Sequence, residues 1–213
     1  METRDVDALK HGAADLAIGL RPPAFAALVQ FLDLLVAWND RIRLTGEREP
    51  AGLVKHVLDS LAVVPSLPSS GLVIDVGAGG GFPGIVLAIA RPDLEVILLD
   101  ARRRAVSFLR ETARVAGLPN VRALHRRAED AVGELGGRAA TVISRALRPD
   151  TYLPLAASLV ADDGVVLAMQ TPGRVESARV LAAQVGLTLA QERTYDVPGA
   201  GRRALLVFHR LRP

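Results

Sequence analysis

Asp75 stands two residues ahead of Gly77, and further glycines follow at 79, 80, 81 and 84. The apolar stretch Leu72-Val73-Ile74 leads into the acid, and an apolar helical pattern begins after the last glycine. Glycine adopts positive φ without a steric penalty and lets a ligand approach the backbone closely. The helix start beyond the bend is expected to offer free N–H groups and a positive dipole end. Residues of this type and order suit a cradle for a nucleoside cofactor at the carboxyl end of a first strand. The plainer alternative is a glycine-rich strand-to-helix turn with no ligand, which loses backbone entropy without a compensating contact.

Three later groups extend the chemistry. Asp100 closes a second apolar run, Glu95-Val96-Ile97-Leu98-Leu99. An acid there either accepts from ribose hydroxyls or caps the next helix. Arg127-Ala128-Glu129-Asp130 follows a third run. Its acids either accept from an exocyclic amine or cap a helix. Ile143-Ser144-Arg145-Ala146 ends a fourth run. Asp75 itself either holds the loop amides or a water near the cofactor's amine, or simply supports the turn.

Two templates fit the glycines. Gly79-x-Gly81-x-x-Gly84 matches the dinucleotide fingerprint, whereas Asp75-x-Gly77-x-Gly79-x-Gly81 matches the loop of S-adenosylmethionine (SAM) methyltransferases. The second is favoured because the turn begins at Gly77, directly after the strand-end acid. The transferred methyl group is then presented at the end of the fourth strand. An Asn/Asp-Pro-Pro-aromatic run for an amino acceptor is absent there, and the chain contains no Cys for a pyrimidine adduct. Arg145 remains. A guanidinium is no base at neutral pH, so the acceptor should carry a free lone pair and no proton to remove, as guanine N7 does. The alternative for Arg145 is an ion pair with a neighbouring carboxylate.

The elements that must position these groups follow from periodicity. Residues 4–19, 24–38 and 50–64 carry apolar side chains at helical spacing, with Trp38-Asn39-Asp40 closing the second helix and Pro22-Pro23 preceding it. Pro65, Pro68, Ser69 and Ser70 mark a linker. From 72 onward strands (72–76, 94–99, 121–124, 140–144, 164–169, 188–194, 203–209) alternate with helices (83–91, 102–116, 129–134, 150–160, 174–185), the pattern of a parallel α/β sheet. Val197-Pro198-Gly199-Ala200-Gly201 is too short for a crossover, so the last two strands form an antiparallel hairpin. The expected fold is α/β, a Rossmann-like class I SAM methyltransferase sheet ending in that hairpin. Residues 1–70 are expected to form an N-terminal helical cap and 71–213 the SAM-binding core, packed as one unit.

Composition narrows the classes. Half of the 213 residues are apolar, the net charge is +3, and Lys10 and Lys55 are the sole lysines among 26 basic residues. An arginine-rich surface suits phosphate, although codon bias alone can produce it. Five Phe, two Tyr and one Trp are too few for a stacking platform along single strands. The charged N-terminus lacks a signal-peptide core, and no apolar run approaches the roughly 20 residues of a membrane span. A cytoplasmic protein without metal or membrane partner is expected. His11, His125 and His209 are scattered. His56 and Asp59 share a helix face, where they either make a local hydrogen bond tying cap to sheet or close over the ligand. Arg102-Arg103-Arg104 opens a helix with cations, which is locally unfavourable and points to a phosphate partner or to a solvated face.

Taken together, Leu44-Thr45, His56-Val57-Leu58-Asp59-Ser60, the Asp75–Gly84 loop and Ile143-Ser144-Arg145-Ala146 resemble the RsmG/GidB family from Trp38 to Arg203. The resemblance implies a bacterial enzyme that methylates N7 of a guanine in small-subunit (16S) ribosomal RNA, on an assembled or partly assembled subunit. It implies SAM contacts at Gly77, Phe82, Ala128, Glu129 and Arg145, beside the Asp75, Gly79, Gly81 and Asp100 of the loop reading. It also implies an RNA-facing cleft lined by Arg127, Arg145 and Arg203, with Arg127 and Arg145 acting on the reacting base, in a monomer. The chain departs from the family pattern at Arg43, where Asn is frequent, and at Met169-Gln170-Thr171, where Lys-Gly is frequent. The missing cation leaves two alternatives open: a SAM methyltransferase of another RNA or a small molecule, and a nucleotide-sensing binding protein without transfer activity.

Overall fold

The computed structural model describes residues 1–145 and 147–211. Three helices come first: α1 (Thr3–Asp15), α2 (Pro22–Ile42) and α3 (Pro50–Leu61). Glu2 and Asp5 form a capping box at the start of α1. Pro22 and Pro50 open the next two helices, where a missing N–H costs nothing. Helix α2 runs four residues past Trp38 and ends on Arg43 in the left-handed conformation. At 21 residues it is long and apolar enough to cross a membrane by length and composition, which corrects the expectation from apolar runs alone. Its Leu28, Phe31, Leu32 and Leu35 are buried in the protein's own core.

Strands and helices then alternate: β1 (Leu72–Val76), α4 (Gly84–Ala90), β2 (Glu95–Asp100), α5 (Arg103–Val115), β3 (Val121–His125), α6 (Ala128–Leu135) and β4 (Ala139–Ser144). They continue with α7 (Pro149–Leu159), β5 (Val160–Gln170), α8 (Val175–Gln184), β6 (Leu187–Val197) and β7 (Gly201–Arg210). The sheet order is β3-β2-β1-β4-β5-β7-β6. The first five strands are parallel, and β7 runs antiparallel to both β5 and β6. The expected terminal hairpin is thus present, inserted so that β7 lies inside and β6 forms the edge.

Side chains alternate across this sheet with period two. Val73, Val96, Leu98, Ile143, Leu167, Leu205 and Val207 face a layer made of α1 to α5. Ile74, Val76, Ile97, Leu99, Val142, Val166, Leu206 and Phe208 face α6, α7 and α8. The N-terminal helices therefore share one hydrophobic core with α4 and α5. This layering sets α3 over the end of the sheet where β1 and β4 deliver their loops.

Candidate functional site

Five parallel strands end at one edge, and the site is assembled there. Gly77 and Ala78 donate their N–H groups to the Leu99 carbonyl at 2.9 and 3.0 Å, which locks the first bend onto β2. Gly77 has φ of +78°, a conformation closed to most side chains. The Asp100 carboxylate fastens the next part of the loop: it accepts the Gly79 N–H at 2.8 Å and the Arg102 N–H at 2.8 Å. Arg102, rather than Asp100, is the N-cap of α5. Asp100 is only 6% exposed yet stands in a cavity wall, so one carboxylate both braces the loop and lines the cavity.

The start of α4 differs from expectation. Its Gly84 N–H donates to Asp75 Oδ2 at 2.9 Å, and the Ile85 N–H donates to the Gly81 carbonyl at 2.9 Å. Those N–H groups are not left for a ligand, because the buried Asp75 carboxylate sits against the positive helix end. A Cβ on Gly84 would drive into Leu98 Cδ2 and come within 2.6 Å of Asp75 Oδ2, so this glycine serves close packing of helix on strand. Asp75 Oδ1 is buried with no hydrogen-bond partner. Burial pushes the Asp75 carboxyl up to about 7, against the opposing pull of the Gly84 N–H and Arg145.

Two cavities lie side by side along this edge and share Leu147. The first, of about 360 Å³, is lined by Gly77, Asp100, Arg127, Ala128 and Glu129, with Leu99, Leu147 and Leu155 as apolar wall. This combination of acids at a strand end, a backbone wall at a glycine and apolar sides fits a nucleoside. Ala128 and Glu129 form the first turn of α6. The second cavity, of about 350 Å³, is lined by His56 and Asp59 of α3, Arg145 and Leu147 after β4, Met169 and Gln170 at the end of β5 with Thr171 beyond it, and Arg203 of β7.

The polar contacts of the second cavity form one chain. The Tyr195 hydroxyl donates to Asp59 Oδ1 at 2.8 Å, and Arg145 Nη1 lies 3.7 Å from Asp59 Oδ2. The Arg145 guanidinium lies over the Phe82 ring, 4.9 Å from its centroid. Burial raises the Asp59 carboxyl, while Tyr195, Arg145 and Arg203 hold it down. Burial and the Arg145 charge push His56 down to about 4, so its imidazole is neutral at pH 7. Gln170 Nε2 donates to the Leu147 carbonyl at 3.3 Å and so braces the partition between the cavities. Ser144 Oγ donates to the Val76 carbonyl at 2.8 Å, clamping the ends of β4 and β1 together.

The structure thus gathers Gly77, Asp100, Ala128 and Glu129 around the first cavity and Arg145 and Arg203 around the second. Arg127 stands with the first group, apart from the other two arginines. Gly79 is occupied by Asp100, and Gly81 turns toward Phe31 and Ile85. Phe82 is 4% exposed and supports Arg145 from below. Ala146 lies outside the described residues. Asp59 alone ties α3 to the sheet, through Tyr195 on β6, while the His56 ring lies against Phe82, 5.5 Å between centroids. Tyr195, Leu147, Thr151 and Leu155 carry no sequence signal and were not expected. Arg102, Arg103 and Arg104 line a separate cavity of about 250 Å³ with Ile42 and Leu44. Among the described residues no group of three or more His, Cys, Asp or Glu is placed to hold a metal ion.

Comparison with known proteins agrees with this geometry. The profile of the GidB family, described as rRNA small subunit methyltransferase G, matches residues 24–206. The chain is 38% identical over 201 residues to the ribosomal RNA small subunit methyltransferase G of Chromobacterium violaceum, covering 93% of this chain and 94% of that one. It is 40% identical over 197 residues to the protein of the same description from Anaeromyxobacter sp., covering 90% of each. Among solved structures, M. jannaschii TYW2 in complex with AdoMet superimposes with a TM-score of 0.59 at 20% identity, over 73% of this chain and 76% of that one. A 16S rRNA adenine-N1 methyltransferase from Catenulisporales acidiphilia with SAM gives 0.55 at 18% identity, over 74% and 92%. These two likenesses are likenesses of fold.

Proposed function

The chain belongs to the GidB family of small-subunit rRNA methyltransferases, and from that premise we propose that it methylates N7 of one guanine in 16S ribosomal RNA, using SAM. The observation that carries the reading is the paired cavity: a nucleoside-sized space and a cationic space meet at Leu147. SAM supplies an electrophilic methyl group on a sulfonium when bound. Gly77, Asp100, Ala128 and Glu129 are the residues that would hold it. Asp100 would accept from the ribose hydroxyls, and Glu129 with the first-turn backbone of α6 would face the adenine. Asp75 is buried behind the loop and acts on it through Gly84.

The second cavity supports the choice of acceptor. Among the described residues that line it, the only titratable nitrogen base is His56, and that imidazole is neutral and half-buried. Guanine N7 has no proton to lose, so the protein needs no group to receive one. Its task is to hold N7 in line with the methyl group and to exclude water. Arg145 and Arg203 supply positive charge for the RNA. The same reading takes a single copy of the chain, working in the cytoplasm on an assembled or partly assembled subunit.

The test is transfer of labelled methyl from SAM to small subunits isolated from cells lacking this protein. Mass spectrometry of the digested 16S rRNA should find one new 7-methylguanosine. Label in another base, or none in RNA, would remove the reading.

A further inference from the structure

The second cavity presents a donor and an acceptor side by side, joined as a loose ion pair. Arg145 Nη1 and Asp59 Oδ2 are 3.7 Å apart, beyond hydrogen-bond distance. Asp59 Oδ1 accepts from the Tyr195 hydroxyl at 2.8 Å, which fixes the carboxylate, while Oδ2 faces Arg145 and the residue lines the cavity. The Arg145 guanidinium is held over Phe82. Both side chains are largely withdrawn from water, at 21% and 7% exposed. A guanidinium has five N–H donors and a carboxylate about four lone-pair sites, so an ion pair this long leaves both with capacity for a ligand in the cavity.

We propose that Asp59 and Arg145 read the Watson–Crick edge of the acceptor guanine, Arg145 donating to O6 and Asp59 accepting from N1–H and the N2 amine. The assignment rests on the guanine-N7 reading given above and names how that base is chosen. Guanine carries the acceptor O6 next to the donor N1–H. Adenine carries the reverse, an amine donor next to the N1 lone pair. It would therefore set a donor against the guanidinium and a lone pair against the carboxylate. Sites of this kind reject the wrong base strongly because their own buried groups are left unpaired. The edge that is read is also the one remote from N7. A reader at O6 and N7 together would occupy the lone pair that must attack; Asp59 and Arg145 leave it free to face the first cavity.

The experiment uses small subunits reconstituted with a single replacement at the guanosine mapped by mass spectrometry. Inosine lacks the N2 amine, 2-aminopurine nucleoside lacks O6 and N1–H, and adenosine inverts the edge. Single-turnover transfer by the whole protein should be about 10- to 100-fold slower on inosine, slower again on 2-aminopurine, and absent on adenosine. Asp59→Asn should bind S-adenosylhomocysteine as the wild type does by calorimetry, and should lose its preference for guanosine over inosine, because the Tyr195 hydroxyl holds the amide oxygen and turns the NH2, a donor, toward the N2 amine. Equal wild-type rates on guanosine, inosine and adenosine would overturn the proposal while leaving the methyltransferase reading intact. So would an undiminished guanosine preference in Asp59→Asn. No transfer to unmodified guanosine subunits would overturn both. The analogue series requires no variant, so it decides the matter even if Asp59→Asn folds poorly.

Discussion

At the residue scale, Asp75 shows how burial turns a common side chain into a conditional one. Its Oδ2 caps the start of α4 through Gly84, and its Oδ1 has no partner. The carboxyl is raised to about 7 in the folded protein, above the value near 4 of an unfolded chain. A raised carboxyl contributes stability that is fully present below the unfolded value and is lost as pH rises through the folded one. Between pH 4 and 7, the contribution lost is on the order of 4 kcal/mol for a shift of this size. Urea unfolding of the wild type and of Asp75→Asn should therefore diverge with pH. The wild type should gain on the variant as pH falls from 7.5 to 4.5, since the variant's amide cannot titrate. A difference that stays constant over that range would show that Asp75 remains charged, with a partner for Oδ1.

At the element scale, the junction of β1, the glycine loop and α4 depends on close approach. Gly84 has no space for a side chain, being pressed between Leu98 and Asp75. Gly84→Ala should destabilise the protein by about 1–3 kcal/mol through overpacking, read as a lowered denaturant midpoint. It should also weaken SAM binding, because the loop and Asp75 move together. A midpoint within experimental error of the wild type would mean that the helix slides outward at no cost. Helix α3 and the β6–β7 hairpin form the other working unit. Tyr195 and Arg203 are directly opposed across β6 and β7, and Tyr195 reaches Asp59 on α3. The second cavity thus draws on the first and last parts of the chain as well as on the ends of β4 and β5, while the first is built from the middle alone.

At the scale of the whole molecule, charge and layering set how RNA is met. The chain carries +3 overall, and Arg126, Arg127, Arg145 and Arg203 line the two cavities at the carboxyl edge of the sheet. Phosphate contacts made by such a surface release counterions, so binding weakens with salt. Affinity for the small subunit should fall by roughly tenfold or more between 50 and 200 mM salt for a handful of phosphate contacts. Filter binding over that range measures the slope, and the double variant Arg126→Gln/Arg203→Gln should flatten it. A slope near zero in the wild type would mean that RNA is held by other than its backbone.

The strand-to-helix alternation, the carboxylate-led glycine bend and the closing hairpin were legible in the residues themselves. Each depends on local rules: period two, period 3.6, and the few side chains that tolerate a tight turn. Asp100 at the end of β2 and Ala128-Glu129 at the start of α6 were legible for the same reason, since strand ends define the ligand edge of a parallel sheet. The use of the α4 N-terminus by Asp75 was not. It requires knowing that Oδ2 lies within 2.9 Å of the Gly84 N–H, nine residues on. The partition of the arginines was also beyond local reading. Arg127 and Arg145 look alike in the chain, and only the packing of α6 against the sheet sends one to the first cavity. Tyr195 meets Asp59 across 136 residues. No periodicity encodes such a contact, because it exists only once the sheet has brought an edge strand beneath an N-terminal helix. Local stereochemistry therefore determined the glycine loop, and long-range packing decided what stands opposite it.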